Sequence, residues 1–209
     1  ICDDLALERP VVAAHSMGVQ VALEYQRQNP GGVAALILMC GTFGHITSTF
    51  HGTDLLDQVL PGLIRGARAF PNVARAVWGR VPAAMAFRVA CAGRELDRER
   101  IQEEDFQRYW EHASLMDPDV FLRMLQYAGR HDARAHLPHV DVPTLVIAAE
   151  RDTFTPMVLA EEMAAAIPDA ELEVVEEASH AAPVEQPDRI AERIEEFLSS
   201  RLGLDPAPP

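Results

Sequence analysis

An apolar run that stops at a serine between small residues constrains the fold of this chain more than any other feature. Residues 11–18 read V-V-A-A-H-S-M-G, and the apolar, β-branched stretch over residues 10–14 predicts a buried strand. The sequence then changes at once to a helical pattern over residues 18–28, so a sharp turn joins strand and helix at the serine. A second apolar run over residues 33–39 follows N-P-G-G at residues 29–32. Strand, helix and strand in this order predict one βαβ unit.

The same alternation returns in the last third of the chain. Apolar runs over residues 142–149 and 172–175 predict two more buried strands, and helical patterns over residues 156–167 and 187–202 follow them. Thr155 is expected to cap the first of these helices, with a proline in its first turn. Alternating strands and helices predict an α/β fold in which helices flank a parallel sheet.

Helical periodicity alone occupies the middle of the chain, where strand-like runs disappear. Four helices are expected there: over residues 54–70, from residue 71, over residues 103–113, and after an N-cap at Asp117. Because the sheet pattern resumes afterwards, we interpret this stretch as an inserted, all-helical cap. The expected division is a first core segment (residues 1–50), the helical cap (51–139), a second core segment (140–202) and a flexible tail (203–209).

The composition is that of a soluble globular protein, with 48% hydrophobic and 24% charged residues. A net charge of −14 argues against nucleic acids and anionic membranes as partners, and no apolar stretch approaches the ~18 residues of a membrane span. The three cysteines are odd in number and widely separated, which is typical of free thiols in a reducing compartment. We therefore expect a cytoplasmic protein.

The chain has no lysine, because all eighteen of its basic side chains are arginine. Schiff-base chemistry is therefore excluded for this segment, and with it pyridoxal-phosphate and lysine-dependent aldol reactions. A phosphate-binding G-x-x-x-x-G-K-[ST] loop and a serine–lysine dyad are excluded as well. Neither the cysteines nor the histidines show the spacing of a metal site, so no metal and no cofactor is expected.

A hydroxyl, a carboxylate and an imidazole each stand just after a predicted strand. Ser16 follows the first strand, Asp152 the third and His180 the fourth, and the carboxyl ends of parallel strands form the usual site of an α/β sheet. A serine hydroxyl becomes a nucleophile when an imidazole accepts its proton, and that imidazole needs a carboxylate on its other nitrogen. Taken singly, Ser16 could be a helix cap, Asp152 a turn residue and His180 a loop histidine. Their order along the chain, Ser then Asp then His, and the position of each just after a strand favour the catalytic interpretation.

Other residues compete for these roles. Glu150 is a second acid after the third strand, but it lies closer to the strand than Asp152 does. His15 is next to Ser16, and because adjacent side chains diverge at such a turn we interpret it as a packing residue. The remaining histidine candidates are interpreted as polar surface or pocket-rim residues: His45, His51, His131, His136 and His139.

Three segments of the sequence closely resemble the α/β-hydrolase superfamily. They are A-H-S-M-G at residues 14–18, V-P-T-L-V-I-A-A-E-R-D-T-F-T-P at 142–156 and S-H-A-A-P-V-E-Q-P at 179–187. The resemblance covers residues 10–39 and 142–202, with a helical cap between them.

The resemblance implies a catalytic triad of Ser16, Asp152 and His180, with the backbone N–H of Met17 as one donor of the oxyanion hole. The second donor would lie on a loop after an early strand, and this sequence has no such loop. Ala14 replaces the usual first glycine of the motif, a small change because its methyl group is small. Since only ten residues precede the first apolar run, we expect that the chain lacks its beginning and that the segment alone is poorly folded and inactive.

The leading functional hypothesis is a serine hydrolase that cleaves a carboxylic ester through an acyl-enzyme on Ser16. Its expected partner is a small or medium hydrophobic substrate, because apolar cap helices of this kind roof the pocket. A C–C bond hydrolase, an acyltransferase and a cofactor-free haloperoxidase-like enzyme share this chemistry and stay open. A dehalogenase is disfavoured, since those relatives carry aspartate in place of the serine. A non-catalytic ligand-binding protein and a pseudogene fragment are the alternatives outside enzyme chemistry, and the oligomeric state is left open.

Overall fold

The computed structural model describes residues 2, 4–44, 55–101 and 103–204. Within them, a four-stranded parallel sheet has its strands in chain order. The strands are β1 (Val11–His15), β2 (Ala35–Met39), β3 (Thr144–Ala149) and β4 (Ala170–Val175). The predicted α/β class with a parallel sheet is confirmed, and every strand begins and ends within two residues of its predicted bounds.

The register of the sheet brings the carboxyl ends of its strands to one edge. His15 pairs with Met39, Met39 with Ile147, and Ile147 with Glu173. Because all four strands run in the same direction, the loops that follow them project from this same edge.

Helices lie on the sheet and also form a group between β2 and β3. In the described part of the chain they are α1 (Gly18–Gln28), α2 (Leu55–Ala69), α3 (Pro71–Trp78), α4 (Ala83–Ala92), α5 (Glu103–Leu115), α6 (Pro118–Arg130), α7 (Met157–Ala166), α8 (Ala182–Glu185) and α9 (Pro187–Leu202). Across these described helices, no span combines the length and the apolar character that a bilayer crossing requires.

Alternate residues of the strands face two separate layers of the core, as a period of two requires. On β2, Leu36 lies in one buried cluster with Leu23 of α1 and Met163 of α7. Its neighbour Ile37 lies in a second cluster with Phe197 of α9. Burial on both faces is the reason that β2 and β3 are apolar along their length.

Helices α2–α6 span residues 55–130, and we call them the helical insertion. Two of their contacts use tryptophan N–H groups on backbone carbonyls: Trp78 Nε1 donates to Ala113 at 3.0 Å, and Trp110 Nε1 donates to Val81 at 2.8 Å. Each tryptophan thus joins two parts of the insertion while its polar atom stays satisfied.

The four helices predicted for the insertion are present and begin within one residue of their predicted starts, and a fifth helix lies between them. The N-cap at Asp117 is confirmed, since its carboxylate accepts a 2.9 Å hydrogen bond from Asp119 N–H. Helix α4 was not predicted. Its sequence, A-A-M-A-F-R-V-A-C-A, is almost uniformly apolar and therefore has no polar face that would reveal a helical period.

The cap prediction at Thr155 is wrong. Helix α7 begins at Met157 with Pro156 as its N-cap, and no side chain caps it. The Thr155 hydroxyl instead donates to Asp152 Oδ2 at 2.7 Å. The side chain is therefore directed at the Asp152 carboxylate, and it accepts no hydrogen bond from the first N–H groups of the helix.

Candidate active site

Ser16 occupies a sharp turn between β1 and α1. Its φ is 57°, in the left-handed region that side chains rarely adopt. The turn is held at both ends, because Ser16 N–H donates to Met39 O at 3.0 Å and its carbonyl accepts from Val19 N–H at 3.0 Å. Such strain persists only where the surrounding structure fixes it, and here it lifts the hydroxyl above the sheet edge.

Of two glycines near this turn, Gly41 makes the room that it needs. A Cβ on Gly41 would lie 2.3 Å from Val19 Cγ2 and 2.6 Å from Ser16 O, so only glycine fits after β2. A Cβ on Gly18 would stand at an ordinary 3.6 Å from Ala14 Cβ. Strand and helix therefore accommodate the Ala14 methyl. The need for Gly41 depends on contacts between elements and has no signal in the local sequence.

The structure brings the Ser16, Asp152 and His180 side chains together. His180 Nε2 lies 2.8 Å from Ser16 Oγ, and its Nδ1 lies 2.9 Å from Asp152 Oδ2. A carboxylate can only accept, so Nδ1 carries the proton and Nε2 is left to accept from the serine hydroxyl. The loops after β1, β3 and β4 each supply one member of this chain of hydrogen bonds.

Asp152 is held as a buried carboxylate, with its side chain fully inaccessible to solvent. Its Oδ1 accepts from the backbone N–H groups of Phe154 and Thr155, each at 2.8 Å. Its Oδ2 accepts from the Thr155 hydroxyl and from His180. Four donors satisfy the charge, so a buried acid here needs no further cation.

Glu150 lies away from this chain of hydrogen bonds. It is exposed, and its Oε2 accepts from Glu177 N–H at 2.8 Å. The acid that reaches the imidazole is therefore Asp152, as the sequence predicts from its greater distance along the loop.

His15 contacts the loop of His180 and does more than pack. Its Nε2 lies 2.9 Å from the backbone oxygen of His180, and the two rings are 5.1 Å apart. Although the residue is exposed, surrounding protein atoms desolvate the ring and the nearby His180 disfavours a second positive charge, so the pKa of His15 lies below its ordinary value. The centroid of the Phe154 ring lies 4.8 Å from that of the His180 ring.

The backbone of Met17 stands at the N-cap position of α1, with φ −56° and ψ −26°. The first N–H groups of a helix have no acceptor within the helix, and the helix dipole favours negative charge there. This position next to Ser16 is suited to hold an oxyanion.

A buried carboxylate close in sequence to His180 escaped the sequence analysis. Glu185, at the end of α8, is 8% exposed and accepts hydrogen bonds from Ser179 N–H and Asp97 N–H. Its only sequence signal was its place in the E-Q-P segment before the last helix, which is also typical of a solvated helix start.

The other histidines lie elsewhere. His45 and His51 are outside the described residues. His136 Nε2 lies 2.6 Å from Gln26 Oε1, and His139 Nδ1 lies 3.1 Å from Ala135 O, so both contribute to local structure before β3.

Known proteins resemble this chain in sequence and in structure. A 2-hydroxy-6-oxononadienedioate/2-hydroxy-6-oxononatrienedioate hydrolase from a Pseudomonas species is 28% identical over 203 residues, which cover 95% of this chain and 66% of the relative. A monoacylglycerol lipase from Xenopus laevis is 23% identical over 201 residues, covering 91% and 55%. The structure of a thermophilic esterase from Thermogutta terrifontis, with malate bound, matches with a TM-score of 0.71 at 26% identity, covering 95% of this chain and 68% of that one.

The chain thus spans about two thirds of the length of the Pseudomonas relative and about half of the Xenopus one. A model of the alpha/beta hydrolase family matches residues 1–193, which is most of the chain. The fold with the parallel sheet is shared with the thermophilic esterase, as the TM-score of 0.71 shows. On these grounds the chain belongs to the α/β hydrolase family.

Proposed function

We propose that Ser16, Asp152 and His180 form the catalytic triad of a serine hydrolase. The observation that carries this proposal is the continuous hydrogen-bond chain, with 2.8 Å between Ser16 Oγ and His180 Nε2 and 2.9 Å between His180 Nδ1 and Asp152 Oδ2. These distances lie within the range over which a base activates a nucleophile.

The reaction follows from the positions of these groups. The Ser16 hydroxyl gives its proton to His180 Nε2 while Oγ bonds to the substrate carbonyl carbon, and the carbonyl oxygen becomes an oxyanion next to Met17 N–H. Collapse of this intermediate breaks the bond to the leaving group, which takes the proton from His180. Water then attacks the acyl-enzyme carbonyl carbon while His180 accepts its proton, and collapse of the second intermediate releases the acid and returns the proton to Ser16 Oγ. Asp152 stays ionised and stabilises the imidazolium throughout.

The proposed substrate is a carboxylic ester of small or medium size with apolar groups. The names of two relatives support the bond type, since one is an esterase and the other a monoacylglycerol lipase. The apolar side chains that the helical insertion exposes support the hydrophobic character; among them are Val73, Val77, Met85 and Val89. An apolar wall with a few polar groups is usual for small-molecule sites.

Hydrolysis of a carbon–carbon bond is a second candidate, favoured by the name of the Pseudomonas relative at 28% identity. The same triad would act on a carbonyl next to the bond that breaks. Assays with p-nitrophenyl esters and with a 2-hydroxy-6-oxo dienedioate separate the two candidates, because a C–C hydrolase turns over the second substrate at least as well as the first.

Replacement of Ser16 by alanine tests the triad directly. Ser16→Ala is expected to lower ester turnover by about 10⁴-fold or more, because the nucleophile is removed, and to abolish labelling by a fluorophosphonate. The control is Ser199→Ala, an exposed serine on α9 whose loss should leave turnover and labelling unchanged. The parent in every labelling experiment is the whole, folded protein. Full labelling of its Ser16→Ala variant, or no labelling of the parent itself, would refute the proposal; the second result would favour a ligand-binding protein without catalysis.

A further inference from the structure

The segment between helices α4 and α5 lies against the loop that carries His180. We call residues 95–101 the insertion linker and residues 176–181 the histidine loop. The hydroxyl oxygen of Ser179 lies 2.9 Å from the carbonyl oxygen of Glu95, so the two segments are in direct contact. This contact stands one residue before His180.

A single buried side chain connects both segments. Glu185 Oε1 accepts from Asp97 N–H of the linker at 2.8 Å and from the Ser179 hydroxyl. Its Oε2 accepts from Ser179 N–H of the histidine loop at 2.7 Å. Both oxygens of the Glu185 carboxylate therefore accept hydrogen bonds from neutral donors at a buried site.

The histidine loop continues from there into α8. Ala182 N–H donates to Ser179 O at 3.0 Å, and Glu185 N–H donates to Ala181 O at 3.0 Å. Glu185 thus closes a small ring of hydrogen bonds around the peptide that bears His180. A shift of that ring would move His180 relative to both of its partners.

A second contact between linker and loop is exposed. Arg100 Nη2 lies 2.6 Å from Glu177 Oε2, and 59% of the Glu177 side chain is accessible. Exposed ion pairs of this kind contribute little, because water and salt screen them. The two contacts join the same pair of segments and each uses a glutamate carboxylate, but they differ in burial and in the charge of the donor, which makes them a natural comparison.

We infer that Glu185 is a positioning residue, which holds the histidine loop against the insertion linker so that His180 stays in line with Ser16. The inference rests on the proposed function. Through Glu185, the helical insertion contributes to catalysis without touching the reacting atoms. Displacement of a catalytic group by about 1 Å costs on the order of 10²-fold in rate, so Glu185→Gln is expected to slow acylation by about 10- to 100-fold.

The rate of fluorophosphonate labelling at Ser16 tests this inference. In a single-exponential time course, the rate constant reports how well the base is placed, whereas the amplitude reports the folded fraction. We expect Glu185→Gln to lower the rate constant while the amplitude stays near that of the parent. The matched control is Glu177→Gln, the same substitution at the exposed contact, which should stay within about twofold of the parent.

A second pair of variants tests the linker itself. Asp97→Pro removes the backbone N–H that Glu185 binds, whereas Asp97→Ala keeps it and loses only the side chain. The proline variant should be slower in labelling and the alanine variant close to the parent. This pair decides the question if Glu185→Gln does not fold.

The outcomes separate the two proposals. A parent protein that is not labelled at all refutes the proposed function, and this inference with it. A labelled parent whose Glu185→Gln variant reacts at the same rate constant, with or without a smaller amplitude, overturns the positioning role alone and leaves a structural one. Equal loss of rate constant in Glu177→Gln would also overturn it, because burial would then not matter.

Discussion

The parallel sheet and the helical insertion are held together in different ways. In β3 every residue is buried, and Leu145 has no accessible surface. In the insertion neither α3 nor α5 contains a buried residue, and Leu115 is 84% exposed. The insertion buries fewer side chains, among them Leu60 of α2 and Phe87 of α4, and adds indole N–H groups bonded to backbone carbonyls and exposed charged pairs such as Arg75 with Asp117.

Under the proposed function, this difference gives the two regions separate tasks. Catalytic groups need fixed distances, and the close-packed sheet supplies them because its strand ends cannot move independently. A substrate-facing surface needs apolar area and tolerance of change, and the loosely buried helices of the insertion supply these. Glu185 is the point where the two regions meet on the histidine loop.

The largest effect is expected at the acid of the sheet region. Asp152→Asn should lower kcat of ester hydrolysis by about 10⁴-fold, because an amide NH₂ beside the ring favours the wrong tautomer of His180. The control is Glu150→Gln, whose side chain bonds to Glu177 N–H and not to the imidazole. If Glu150→Gln loses the greater part of kcat and Asp152→Asn does not, the acid is wrongly assigned.

A pair of leucine substitutions tests the contrast in packing. Leu145→Ala in β3 should lower the free energy of unfolding by about 2–5 kcal/mol, because it leaves a cavity between two buried layers. Leu115→Ala in α5, at a side chain that is mostly exposed, should change it by no more than about 0.5 kcal/mol. Denaturant unfolding of both variants measures the difference; similar losses at the two sites would contradict the contrast.

The smallest effect concerns pH and the charged pairs of the insertion. Hydrogen bonds from Arg75 lower the pKa of Asp117 below its ordinary value. A carboxylate with a lowered folded-state pKa adds stability that is present above its unfolded pKa of about 3.9 and is lost as pH falls through the folded value. The denaturant midpoint of the parent should therefore exceed that of Asp117→Asn at pH 6, and the gap should close on acidification.

The control for this measurement is Glu195→Gln, an exposed position on α9 outside the insertion. It should leave the pH dependence of the midpoint unchanged. A difference in denaturant midpoint between the parent and Asp117→Asn that stays constant or widens toward low pH would contradict the predicted loss of Asp117's stabilising effect on acidification.

The sequence predicted the features that depend on local pattern. The four strands were recognisable because burial on both faces demands continuous apolar runs, and the Ser16, Asp152 and His180 positions followed from where those runs end. The Asp117 cap was recognisable because the acceptor and its N–H donor are two residues apart. In each case the sequence signal lies at the feature itself or within a few residues of it.

The features that escaped prediction depend on contacts that the local sequence pattern does not reveal. Thr155 was expected to cap a helix, and only the folded loop shows Asp152 within reach of its hydroxyl. Glu185 accepts a hydrogen bond from Asp97 N–H, 88 positions earlier in the chain, and nothing in the local sequence indicates that these two residues meet. Gly41 is required by Val19 and Ser16 across the strand-to-helix turn.

The serine and the imidazole that it meets are separated by 164 positions of chain. Contacts of such long range form late, since loop closure must precede any gain from them. Under the proposed function, a chain in which the histidine loop has not yet docked carries an unactivated Ser16 hydroxyl, and reactivity appears only when the His180 imidazole reaches it. The time course of labelling by a covalent serine reagent during refolding would consequently report when folding is complete.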